Sequence, residues 1–172
     1  DMEGAAADFE GITIPAELGD MTRASFDVAR AAIAHHRQDR ATAIDSLTNA
    51  VELSERQLGA KHPLYAERLT RLAAEYVDAA RAGEAEPLLR RSLSILELSL
   101  GKEHFDLAAP LGHLGRAHAA LGRTASAVSY FERQVGILEN AFGPSHSSVE
   151  PALVNLAALQ AQTNQAGKGL EN

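Results

Sequence analysis

Leu58-Gly59-Ala60-Lys61-His62, Leu100-Gly101-Lys102-Glu103-His104 and Phe142-Gly143-Pro144-Ser145-His146 are three copies of one loop. The glycines at 59, 101 and 143 fall 42 residues apart with no insertion in either interval, and so do the histidines at 62, 104 and 146. Spacing this strict marks stacked units, because an insertion inside a unit would disturb its contacts with both neighbours. The chain is therefore predicted to be a small solenoid.

Between the loops the apolar residues recur at three and four residues, the period of a helix face. Leu69, Leu72, Ala73 and Tyr76 form one such face, repeated as Leu111, Leu114, Gly115 and His118 and again as Leu153, Leu156, Ala157 and Gln160. After a polar stretch comes a second face: Ala85, Leu88, Leu89, Leu93 and Leu96, matched by Ala127, Tyr130, Phe131, Val135 and Leu138. Ala43, Leu47, Ala50 and Val51 supply it in the first unit. Each unit is thus a pair of helices, the second ending at Gly59, Gly101 or Gly143, where a left-handed residue is expected to stop it. Small residues at two fixed positions, Ala73/Gly115/Ala157 and Ala43/Ala85/Ala127, let the paired backbones approach closely. The expected fold is all-α, about seven antiparallel helices in a right-handed superhelix.

Composition agrees. Hydrophobic residues make up 45% of the 172 and aromatic ones only 5%, so the core must be built from Ala and Leu. With no Cys there are neither disulfides nor thiolate metal sites. No apolar run approaches 18 residues, which predicts no membrane insertion. The compartment is left open, with the cytoplasm placed ahead of the periplasm. Six acids and no base occupy residues 1–20, leaving the rest of the chain, at 17 acids against 16 bases, almost neutral. A neutral body with an acidic leader argues against nucleic acid as the partner, since phosphate binding needs a concentrated basic face.

The expected organisation is an acidic leader over 1–20, extended or a linker, followed by a repeat domain over 21–172. Its units are placed at about 21–59, 62–101 and 104–143, with a capping helix at 147–163. Two features strain this phase. Asp27 and Arg30 fall where Leu69 and Leu72 fall, so the first helix is either shifted by about one residue or acts as a terminal cap. Pro87 and Pro151 are expected near helix starts, where Pro is tolerated. Pro110 would kink a helix begun at Phe105 and be nearly tolerated in one capped by Asp106. At the far end, Leu153, Leu156 and Leu159 offer a stripe for another chain.

These residues carry a family resemblance. Leu72, Ala73, Tyr76, Ala85, Leu89 and Ser92, then Leu114, Gly115, His118, Ala127, Phe131 and Gln134, with the His62-Pro63 type of loop, resemble the tetratricopeptide repeat in the 42-residue variety of kinesin light chains and many bacterial multidomain proteins. The resemblance covers about residues 39–163. It implies that first helices line a concave groove, with Glu67, Thr70, Arg71, Ala74 and Asp78 in it, joined by Gly112, His113, Arg116, Val154, Asn155 and Ala158. Many kinesin-type repeats hold a peptide backbone with Asn at the positions of Arg71, His113 and Asn155; only Asn155 keeps that residue. The implied groove has a basic floor of Arg71, Arg116 and His113 flanked by Glu67 and Asp78, and does not match the carboxylate clamp of chaperone-binding arrays.

Little in the chain suggests chemistry. The loop histidines 62, 104 and 146 stand one repeat apart, too far to share a metal, and are read as capping and packing groups. His35 and His36 are adjacent and lack a third ligand. No nucleophile elbow, phosphate loop or zinc helix occurs. The sequence thus predicts no catalytic residue, no metal and no cofactor. It predicts a module that binds an extended acidic segment through Arg71 and Arg116, with Asn155 on the backbone. Two alternatives stand beside it: a scaffold that self-associates through its terminal helix or leader, or a regulatory domain of a larger enzyme. A further expectation is that Phe9, Ile12 and Ile14 of the leader pack into the groove.

Overall fold

A computed structural model of the chain describes residues 19–169, with side chains as far as Ala161. Phe9, Ile12, Ile14 and all of the leader before Gly19 lie outside the described residues.

Among the described residues seven α-helices follow one another: α1 (Asp20–His36), α2 (Arg40–Leu58), α3 (Pro63–Asp78), α4 (Ala82–Leu100), α5 (Ala108–Ala120), α6 (Thr124–Phe142) and α7 (Val149–Gly169), with a 3-10 turn at Phe105–Leu107 ahead of α5. No strand occurs among the described residues. α1 pairs with α2, α3 with α4 and α5 with α6, and each pair packs on the next. α3 also rests on α5, whereas α4 and α6 make no comparable contact, so in these two units it is the first helices that approach each other. Both predicted stripes are buried: Leu69, Ala73, Leu111 and Leu114 on first helices, Ala85, Leu89, Ala127 and Phe131 on second helices. Helices of this length are marginal alone, and burial of these faces supplies their stability.

The turns repeat as strictly as the faces. His62, His104 and His146 each accept, through Nδ1, the backbone N–H two residues on, from Leu64 at 3.1 Å, Asp106 at 3.3 Å and Ser148 at 3.2 Å. They satisfy an amide that the following helix or turn leaves without a partner. Within a unit the turn falls at Gln38, Ala80 and Gly122, 42 residues apart, all with φ between 59° and 73°. After each, an amide reaches back five residues, Asp39 to Ala34, Arg81 to Tyr76 and Arg123 to His118, which closes the first helix.

Several expectations need correction. Gly59, Gly101 and Gly143 have φ of 81° to 93°, but ψ near 160° takes them out of the left-handed helical region into an extended one open essentially to glycine alone. α1 is not shifted: its turn at Gln38 keeps the repeat phase, and Ala24, Asp27, Ala31 and Ala34 are its buried residues while Arg30 is exposed. Pro87 lies inside α4, in its second turn and on the exposed side, not at the start. Pro110 is unstrained, because the 3-10 turn precedes α5 and places the proline in its first turn. Asp106 does not cap; its own amide is the one that His104 accepts.

One link joins successive second helices in the same way twice. Arg91 on α4 donates to Glu55 on α2 at 2.6 Å, and Arg133 on α6 donates to Glu97 on α4 at 2.6 Å. Each partner is displaced by 42 residues from its counterpart.

Candidate functional site

The direct packing of α3 on α5 leaves a cleft of about 740 Å³ on their inner side. Its apolar walls come from Pro63, Leu64, Ala74, Phe105, Ala109 and Pro110. Glu67, Thr70, Arg71 and His113 also line it, so that with Ala74 the cleft brings together five of the groove residues implied by the resemblance. A smaller cleft of about 230 Å³ opens on the other side of α3, towards α1, and shares Arg71 and Ala74. Arg71 therefore stands on the ridge between two clefts.

The charges differ from a bare basic floor. Arg71 donates to Glu67 one turn earlier at 3.0 Å, both side chains about half exposed. Arg116 bonds Asp78 across the boundary between units. His113 carries no charge near neutral pH, because burial of its ring holds its pKa below the ordinary value and nearby Arg116 adds to that, against a smaller opposing pull from Asp78. Its Nδ1 is buried without a hydrogen-bond partner. The implied basic floor is thus two arginines held by the acids that flank it, Glu67 and Asp78, beside a neutral imidazole.

Thr70 is also placed differently. It is 6% exposed, and its hydroxyl bonds the Ala66 carbonyl at 3.1 Å and Ser92 on α4 at 2.7 Å. It belongs to the seam between α3 and α4 as much as to the cleft. Asp78 and Arg116 do not line the cleft, and half-buried Asn155 sits apart from it on α7.

The sequence reading missed the cleft's apolar walls. Phe105 follows the capping His104 where Pro63 follows His62, and the shared position was a usable signal. It also missed Glu75, which is 7% exposed, accepts from His35 Nδ1 at 2.7 Å and has Arg40 at 3.9 Å. At the C-terminal end Leu156 and Leu159 pack on α5 and α6 and are not free for another chain; Leu153 and Val154 remain exposed. No group of three His, Asp or Glu side chains that could hold a metal occurs among the described residues, and no helix there is long and apolar enough to cross a membrane.

Comparison with curated proteins gives no match. The tetratricopeptide repeat profile matches residues 22–98 and 76–136, together more than half of the chain. Among solved structures, a kinesin-light-chain-type protein of Podosopora anserina with nearly identical TPR-like repeats superposes with a TM-score of 0.77 at 23% identity, over 90% of this chain and 73% of its own. BtubC (BKLC) from P. vanneervenii does so with 0.76 at 14% identity, over 95% of this chain and 64% of its own. A Rap protein complexed with competence and sporulation factor reaches 0.73 at 16% identity, over 99% of this chain and 44% of its own. At such identities the likeness is one of fold. Helix pairs in strict 42-residue phase, the capped turns and the profile match agree: the chain belongs to the tetratricopeptide repeat family, with a fold like that of kinesin-light-chain arrays.

Proposed function

We propose that this interaction module binds an extended peptide segment in the cleft between α3 and α5. The observation that carries the reading is the lining: Glu67, Thr70, Arg71 and His113 share one concavity with apolar walls. An apolar ligand side chain fits between Pro63, Leu64, Phe105 and Pro110, with the segment's acidic group at Arg71. Arg71 is the better candidate of the two arginines. Its exposed one-turn pair with Glu67 is worth only about 0.3–0.5 kcal/mol, so a ligand carboxylate can replace Glu67 at little cost. Arg116 is engaged with Asp78 between units and serves the stack. Asn155, on α7, extends the same inner surface for a longer ligand. The solved Rap complex supports the reading only in that a protein of similar fold was solved with a bound factor.

The test is a selection of peptides from a displayed library on the full chain, followed by affinity measurements on Arg71→Ala and Ala109→Asp. Both variants should bind the selected peptides at least fivefold more weakly, with affinity falling as salt rises because part of it is charge attraction. Peptides that bind both variants as tightly as the parent would remove the cleft from the account.

A further inference from the structure

The face of α7 that turns away from α6 matches, residue by residue, faces that are covered elsewhere in the stack. Positions 153, 154 and 157 stand one repeat after Leu111, Gly112 and Gly115 and two after Leu69, Thr70 and Ala73. In α3 and α5 all of these are buried, and the second helix of the same unit lies on them: Ser92 on Thr70, Gln134 on Gly112, Phe131 on Gly115. On α7, Leu153 is 42% exposed, Val154 is 60% exposed and Ala157 is exposed.

A second, independent observation concerns charge. Glu55 and Glu97 each receive an arginine from the second helix of the following unit, Arg91 and Arg133. The next position in that series is Glu139, near the end of α6, and among the described residues it has no ion-pair partner. The exposed face and the unpaired carboxylate are both counterparts of groups that a second helix covers elsewhere among the described residues.

We propose that α7 and the last turn of α6 form a docking surface for an amphipathic helix from a protein partner, with a small residue, Leu four positions later and Arg two beyond that. In α4 this pattern is Ala85, Leu89 and Arg91. The pattern also sets specificity. Gly115 admits Phe131 because a Cβ there would lie 2.6 Å from the ring, whereas one repeat earlier the equivalent positions hold Ala73 and Leu89 in one core; Ala157, like Ala73, then calls for Leu and excludes Phe. Glu139 selects Arg over an acid by charge.

The probe is a peptide of residues 82–100, stapled on its polar face to hold it helical, titrated into the full chain and followed by amide chemical shifts. Saturable binding is expected, with shifts at residues 139–161. Replacing the peptide's Leu89 by Phe should weaken binding at least tenfold, and Ala157→Gly in the protein should restore it. Glu139→Arg should weaken the parent peptide and recover affinity for the one carrying Arg91→Glu. Absence of saturable binding, shifts confined to the α3/α5 cleft, or failure of both rescues would overturn the proposal. So would a dimer, seen by light scattering, that Val154→Lys abolishes, because a second copy would then cover the face.

Discussion

Gly115 and Phe131 show how single residues set the distance between helices. A Cβ at 115 would come within 2.6–2.7 Å of three ring atoms of Phe131, while one unit earlier the equivalent positions, Ala73 and Leu89, are both buried in one core. Gly115→Ala is therefore expected to destabilise by about 1–2 kcal/mol, overpacking outweighing the better helix propensity of Ala. Phe131→Leu in the same chain should recover most of the loss. Urea unfolding of both variants checks this, and an unchanged midpoint for Gly115→Ala would show that the ring moves aside freely. A second case is Ala80, which holds φ of 59° where Gly122 stands one repeat later. A side chain in that region costs about 1–2 kcal/mol, part of which glycine gives back through its freer unfolded state. Ala80→Gly should then gain about 0.5–1 kcal/mol in the same experiment.

Individual helices were legible in the sequence to different depths. The period of α3 to α6 was plain because both neighbours of each helix are present and its apolar stripe is complete. α1 read ambiguously, because Asp27 occupies a stripe position and is buried there with its pKa raised by burial, against the pull of Arg30 and Arg23. Only the turn at Gln38 reveals its phase, and no residue type marks that turn in all three units. α5 carries a pH-dependent element of its own. Burial keeps His118 below its ordinary 6.5, with Glu86 pulling the other way and Arg90 and Arg123 adding to the depression. The unfolded chain therefore takes up a proton that the folded one refuses. The stability linked to this group is intact above about pH 6.5 and is lost as pH falls below that value. His113 acts in the same direction. Replacing His118 by Tyr, the residue at the equivalent position 76, should flatten the fall in Tm between pH 7.5 and 5.5; an unchanged slope would assign the effect elsewhere.

Across the whole molecule, the stack was legible and the charge arrangement was not. The 42-residue phase fixes which positions are equivalent; the inner groove was implied by the family resemblance, and Glu67, Thr70, Arg71, Ala74 and His113 of the residues it named line one cleft. Pairing depends on distances between units that no periodicity supplies, which is why Arg116 read as a free cation although it bonds Asp78. The recurrence of Glu55 with Arg91 and Glu97 with Arg133 was present in the sequence but has meaning only once second helices are known to adjoin. The central claim is that the inner cleft, not the outer helices, receives the ligand. Amide hydrogen exchange on the full chain, with and without a selected peptide, tests it most directly. Added protection should appear in residues 63–74 and 105–113 and leave α2, α4 and α6 unchanged. Protection confined to those second helices, with none in α3 or α5, would contradict the account.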